Sequence, residues 1–296
     1  MTSTPAITSG RLVVRPLGPA DGPAAWSFLS SHGLQNVYLA SQVWSGALES
    51  TGHTAPEFFG AFAGDELRAI LYLGNGGLAV PAGEDCAALS LLGEFLTGRG
   101  PELRALIGPD AAVDLLVPHT RAGGAGIRVD VREHFLEVGP RDLSEEAREP
   151  ALRVARLDEV ETVAQASSRA HLEEMGDDPI VTSPTAFVGR VARQVLDGRV
   201  HVIERDGRIL FKAEVSAQCP LGAQISGVFT DPEVRGRGLA RRATGELAHR
   251  LLLETPRVCL FVRVDNAPAR RAYDRAGFRR TLDFRTIFFR PVAARR

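Results

Sequence analysis

Hydrophobic and polar positions follow two rhythms along the 296-residue chain. From residue 151 onward the pattern is clear. Short β-branched or alternating runs predict strands near 152–156, 200–205, 208–217 and 223–230, and a buried-looking strand in "RVCLFVRV" at 257–264. Apolar residues recurring every three or four positions predict helices over about 158–173 and 185–196, and a third running from the loop at 235–238 to about 254. "NAPARRAYDRAG" predicts one more, with Asn266 as N-cap and Gly277 as its C-terminal stop. "FRRTLDFRTIFFR" reads as closing strand material. Strands and helices so interleaved predict an α/β fold (α+β, mixed sheet) with helices on the faces of the sheet.

The first half repeats the plan. "RLVVRPLGPAD" (Arg11 to Asp21) and "ALRVARLDEVE" (Ala151 to Glu161) each lead a short strand into a helix with an acidic start. "FFGAFAGDELRAILYLG" matches "VHVIERDGRILFKAEVSA", both hairpins turning on Gly/Asp pairs, Gly64-Asp65 and Asp206-Gly207. The offset is about 140 residues at both places, as a duplicated fold requires. Between the copies "DLSEEAREP" is polar and ends in proline. The expected domains are therefore residues 1–141 and 151–296, joined by a linker at 142–150.

Composition narrows the class. No apolar run approaches the roughly 18 residues of a membrane span, and the N-terminal stretch lacks a basic start followed by an apolar segment. Cys86, Cys219 and Cys259 are odd in number and far apart, which suits neither a disulfide framework nor a zinc site. A cytoplasmic protein without a metal is the expectation. Residues 1–150 carry net charge −8 and residues 151–296 net +7, so the second half should draw an anionic ligand. Its arginines lack interleaved aromatics, which disfavours nucleic acid.

The candidate chemistry lies in "VFTDPEVRGRGLARRATGELAHRLLLE" (Val228 to Glu254). An apolar strand ends at Thr230 and passes through Arg235-Gly236-Arg237-Gly238 straight into an amphipathic helix. First-turn amides of a helix have no internal partners and carry the positive end of the macrodipole. Glycines let the main chain approach a ligand, and the arginines neutralise its charge. The loop is no Walker motif, since Gly-x-x-x-x-Gly-Lys-Ser/Thr is absent. Nor is it a dinucleotide fingerprint, since no acidic residue closes the following strand. A pyrophosphate gripped by main chain remains.

These residues resemble the acyl-CoA loop of the GNAT N-acetyltransferases, Arg/Gln-x-x-Gly-x-Gly/Ala, at Arg235, Gly238 and Ala240, with Pro232 upstream. "LFVRVDNAPARRAYDRAGF" is similar to the family's next block at Asn266, Tyr273, Gly277 and Phe278. The resemblance covers roughly residues 150–296 and suggests a tandem, actinobacterial-type GNAT with a degenerate N-terminal half. It implies acetyl-CoA as co-substrate, with its pyrophosphate on the amides of Arg235, Gly236, Arg237, Gly238, Leu239 and Ala240. It further implies a pantetheine arm along the strand ending Val228-Phe229-Thr230, a contact from Asn266, and Tyr273 as the acid that protonates the leaving thiolate. The implied acceptor is an amine on a small molecule or polypeptide, and a homodimer stays open.

The pattern departs in one respect. Many relatives carry a glutamate on the strand before the loop as general base, whereas here "AQISGVFT" offers Gln224 and Ser226. Carboxylates in "AHLEEMGDDP" are the alternative, with Glu173 and Glu174 the candidates near a helix C-terminus, where acidic side chains oppose the macrodipole. His171 and His201 are weaker candidates, and Asp231 reads as a turn residue. In the first half "LAVPAGEDCAALSLLGEFL" puts Glu84 and Asp85 where the cradle should stand, a poor phosphate site. Two further readings stay open: an acyl-CoA-binding sensor without catalysis, and a tRNA-dependent aminoacyl transferase.

Overall fold

The computed structural model describes residues 7–9, 12–52, 55–74, 76–99 and 103–290. The first part of the chain forms β1 (Ile7–Ser9), β2 (Leu12–Pro16), α1 (Gly22–Ser31), α2 (Val37–Trp44), β3 (Glu57–Ala63), β4 (Glu66–Gly74), β5 (Leu78–Ala82), α3 (Cys86–Thr97), β6 (Ala105–Pro109), α4 (Asp110–Ala122) and β7 (Ile127–Val138). The rest forms β8 (Arg153–Val154), α5 (Val160–Met175), α6 (Pro179–Thr182), α7 (Pro184–Leu196), β9 (Val200–Arg205), β10 (Arg208–Cys219), β11 (Gly222–Thr230), α8 (Leu239–Leu251), β12 (Val258–Arg263), α9 (Ala267–Ala276) and β13 (Arg279–Phe289). The hydrophobic rhythm anticipates the order of elements from β8 to β13. It passes over the single turn of α6, too short for any periodicity to show.

Two compact units result, Met1–His134 with Leu282–Arg296, and Phe135–Thr281. In the first, β2 to β5 form an antiparallel meander, β5 and β6 pair in parallel, and β13 closes antiparallel on β6. In the second, β8 to β11 form an antiparallel meander, β11 and β12 pair in parallel, and the end of β7 lies beside β12. A parallel pair needs a crossover, and α3 and α8 supply it. The α/β mixed-sheet class and the repeated plan are therefore visible in strand order.

The unit boundaries fall inside β7 and β13, and differ from an expectation of consecutive halves. Each of these strands starts in one unit and ends in the other. Ile287 and Phe289 from the C-terminal strand lie in the first unit's core with Leu71, Leu92 and Leu116. Nor is the polar segment at 142–150 a free linker. Leu143 and Ala147 are buried in the second unit's core, and Glu149 pairs with Arg242 of α8 at 3.0 Å. Two small apolar residues four apart in an acidic stretch were enough to anchor it.

The same segment explains Gly277, the stop of α9. Its φ is +111°, and a Cβ there would stand 2.1 Å from the Asp142 carbonyl oxygen. Backbone, not a flexible side chain, blocks the space. Gly277→Ala should therefore cost about 1–3 kcal/mol of stability, read as a lower denaturant midpoint at unchanged m-value.

Candidate functional site

The site starts where two strands part. Among the described residues β11 pairs with β12 only over Ala223–Ile225, while on its other edge β11 stays on β10 to Thr230. From Ser226 onward the β12-side edge of β11 is therefore free to accept an extended ligand by strand addition. Between Lys212/Phe229 and Glu214/Ser226 the register slips, with one extra residue on β11. Gly227 takes it up at φ +54°, as a bulge that turns the strand locally.

Beyond the free edge comes the loop. Asp231 caps a short 3-10 turn at Pro232–Val234, its Oδ1 accepting from the Glu233 amide at 3.0 Å, so it is a turn residue as expected. Burial pushes its carboxyl up, but the Arg208 guanidinium, the Glu233 amide and Arg169 outweigh that and hold it below the ordinary range. Gly236 and Gly238 adopt φ +76° and +75°, a conformation that glycine enters freely. The N-cap of α8 is Gly238, and no side chain caps the helix. The Arg235 amide, expected among the free donors, instead donates to the Pro232 carbonyl at 3.3 Å as the short turn closes, whereas among the described residues the amides of Gly236, Arg237, Gly238, Leu239, Ala240 and Arg241 donate to no protein acceptor. Space around the Gly236 Cα is empty where a Cβ would point. The corresponding helix of the first unit, α3, is sealed, because Asp85 Oδ1 accepts from the amides of Ala87 and Ala88 at 3.0 Å.

The two loop arginines divide. Arg235 turns away from the amides, donating from Nε to the Thr230 carbonyl at 2.9 Å and from Nη2 to both oxygens of Glu173 at 2.7 and 3.0 Å. Among the described residues the Arg237 side chain makes no ion pair or hydrogen bond, only its carbonyl accepting from Arg242 Nη1 at 3.1 Å. Val228 is half-buried, Phe229 is buried in the core with Val163 and Phe187, and Thr230 is half-buried.

Tyr273 is buried on α9 against Phe278, ring centroids 6.1 Å apart. Burial, and secondarily the Glu174 carboxylate, push its phenol well above the usual tyrosine range. The structure thus brings Tyr273 and Glu174 into electrostatic range of each other. Glu174 lies in the last turn of α5 as a surface residue, yet its carboxyl is raised from the ordinary glutamate range, first by loss of water around it. Arg263, His171 and Lys212 pull the other way, and Glu173 pushes with burial. Arg263 Nη1 also donates to the Glu174 carbonyl at 3.2 Å, pinning this end of α5 to the end of β12. Glu173, its neighbour, is committed to Arg235, and His171 pairs with Asp177 at 3.5 Å. Asn266 caps α9, its Oδ1 accepting from the Ala269 amide at 3.1 Å. His201 lies outside this group, lining a cavity of about 340 Å³ with Arg250 and Glu254.

Sequence reasoning passed over a buried polar cluster beneath the bulge. Lys212 Nζ donates to Ser167 Oγ of α5 at 2.9 Å and to Glu214, whose other oxygen accepts from Gln194 of α7 at 2.7 Å. A Cβ on Gly227 would lie 3.0 Å from the Glu214 carboxyl carbon and 3.3 Å from Lys212 Nζ. The signal was there in "ILFKAEV", a lysine and a glutamate on one face of an apolar strand. Gln224, by contrast, is tied to Ser216 Oγ at 2.9 Å and holds no reacting position.

Residues 215–287 match the family model described as FR47-like protein. No curated protein matches the chain. Solved structures match over nearly its whole length. A Drosophila protein is 11% identical with a TM-score of 0.69, over 94% of this chain and 98% of that one. A GCN5-related N-acetyltransferase from Sphaerobacter thermophilus is 18% identical, TM-score 0.56, over 95% and 96%. A tandem GNAT protein from the clavulanic acid biosynthesis pathway is 16% identical, TM-score 0.53, over 94% and 97%. The fold is the tandem GNAT fold, as the resemblance implied.

Proposed function

We propose that this protein is an acetyl-CoA-dependent N-acetyltransferase that moves an acetyl group directly to an amine on a small molecule or polypeptide. One observation carries the reading: unpartnered amides at 236–241 beside the unpaired Arg237, at the end of a strand whose edge is open from Ser226. These groups suit a diphosphate, because main-chain donors at a helix N-terminus bind anions without a dedicated side chain. The free edge of β11 suits an amide-bearing arm. The capped, acid-flanked start of α3 suits neither, so the first unit is read as the degenerate copy.

Acetyl-CoA supplies the thioester acetyl group. Around it the residues of this chain have two proton tasks. A charged amine cannot attack, so a base must take its proton, and the raised carboxyl of Glu174, within electrostatic range of Tyr273, supports assigning it that task. The departing sulfur needs a proton, and Tyr273 holds one at any working pH. The two tasks are coupled. Burial first, and ionised Glu174 second, keep the Tyr273 phenol protonated; once Glu174 has accepted the amine proton the second of these lapses, so Tyr273 becomes a somewhat better acid when the sulfur leaves. Glu173 serves as the tether of Arg235, and Asn266 as the cap that sets α9 and hence Tyr273.

Thiol release from acetyl-CoA over pooled amines tests the reading. Glu174 must be ionised to act, so kcat/KM should fall as pH drops through a value above the ordinary glutamate range. Glu174→Gln should lower kcat/KM and erase that acid limb. A limb that persists unchanged removes Glu174 from the mechanism. Binding of acetyl-CoA without product from any amine would leave a sensor of the cofactor instead.

A further inference from the structure

Each of the two strands that part at the site sends one arginine to the last turn of α5. From the loop after β11, Arg235 Nη2 donates to both carboxylate oxygens of Glu173, at 2.7 and 3.0 Å, while its Nε holds the Thr230 carbonyl at 2.9 Å. From the end of β12, Arg263 Nη1 donates to the Glu174 carbonyl at 3.2 Å, and its Nε and Nη2 grip Asp265 at 3.0 and 2.8 Å. The second tie has a local reason. The last carbonyls of a helix lack internal partners, and a cation there also suits the macrodipole. The first tie has no such reason. A carboxylate in the last turn of a helix opposes the macrodipole, and an ion pair 47% exposed on both sides adds at most about 1 kcal/mol to stability. What the pair does join is the residue before the free amides, Arg235 ahead of Gly236, to the residue before the base, Glu173 ahead of Glu174.

We propose that Glu173 is a positioning residue for acetyl transfer: its pair with Arg235 fixes the base-bearing turn of α5 to the cofactor loop, so that the state of the loop sets the place of Glu174. The proposal rests on the reading of Glu174 as base. Arg235 is anchored at both ends of its guanidinium, to Thr230 and to Glu173. A shift of the loop therefore moves the guanidinium, and through Glu173 the turn that carries Glu174. Displacing a reacting group by about 1 Å costs on the order of 10²-fold in rate. Without the pair, the tie that remains at this end of α5 is the one from β12, and it holds main chain rather than the Glu173 side chain.

The test compares wild type with Glu173→Gln, Arg235→Gln and the double variant. Glu173→Gln keeps the shape of the side chain and removes the charge that holds Arg235. It is expected to lower kcat about tenfold, with the melting temperature and the Kd for acetyl-CoA close to wild type, because the main-chain amides that take the diphosphate stay in place. Arg235→Gln breaks the same pair, so the double variant should lose no more in kcat than the more affected single one, as residues acting through one contact do. Losses that multiply, or an unchanged kcat in Glu173→Gln, overturn the proposal. So does a loss confined to acetyl-CoA affinity, the mark of a pair that shapes the loop alone. Amide NMR supplies a readout without turnover: acetyl-CoA should shift the amides of residues 173–176 in wild type and not in Glu173→Gln. Shifts equal in both, or absent from both, overturn it as well. If wild type makes no product from any amine, the acetyltransferase reading fails, and the NMR comparison still decides whether the pair carries binding at the loop to α5.

Discussion

Tyr273→Phe is expected to cut kcat by about 10²- to 10⁴-fold while leaving the acetyl-CoA-dependent gain in melting temperature intact. Phenylalanine fills the same space against Phe278, so the second unit's core, where Tyr273 packs, stays filled. What is lost is the proton that the proposed mechanism assigns to the leaving sulfur. The burial of Tyr273 makes the prediction sharper. An ordinary tyrosine could be replaced by water, but a site that keeps Tyr273 dry offers water little access, so no substitute acid stands ready. The rate should also fall at all pH values, since the group stays protonated throughout. Steady-state kinetics together with a binding isotherm check it. A kcat within threefold of wild type removes Tyr273 from the proton path.

Replacing Gly236 and Gly238 together by valine should abolish stabilisation by acetyl-CoA. At a ligand concentration of about 100 times Kd the wild type should gain roughly 2.7 kcal/mol, and the double variant close to none. Both glycines sit at positive φ, where a β-branched residue is strongly disfavoured. The loop would relax to another course and carry the amides of residues 236–241 with it. Both residues are exposed, and no neighbouring backbone crowds a Cβ at Gly236. The unliganded protein should therefore lose no more than the strain at the two positions, about 1–3 kcal/mol each before the loop relaxes, and keep its fold, which separates loss of binding from loss of fold. Thermal melts with and without ligand give both numbers, and a full ligand-induced shift in the variant contradicts the role assigned to the loop.

How far the sequence foretold this can be seen residue by residue. The elements from β8 to β13 were legible because their periodicities are strong and their ends are marked, as with Asn266 and Gly277 around α9. The open cradle was legible because Arg-Gly-Arg-Gly between strand and helix has a physical meaning on its own. The exchange of strand ends between units was hidden, since β13 reads as local strand whichever sheet it joins. The anchoring of residues 142–150 was hidden because two small apolar residues are outvoted by five charges. In the site, sequence could not separate Glu173 from Glu174. Adjacent helix residues point about 100° apart, and only the fold shows that one meets Arg235 and the other approaches Tyr273. The lysine and glutamate of "ILFKAEV" were visible as a pair, but not their partners, Ser167 on α5 for Lys212 and Gln194 on α7 for Glu214, which lie far along the chain.

In the proposed function the backbone nitrogens between Gly236 and Arg241 receive a diphosphate. Amide NMR of the protein titrated with acetyl-CoA tests it most directly. Saturable shifts are expected on those amides and along Ser226–Thr230, with the amides at the start of α3 unmoved. Shifts confined to other parts of the chain, or none at millimolar ligand, would contradict it.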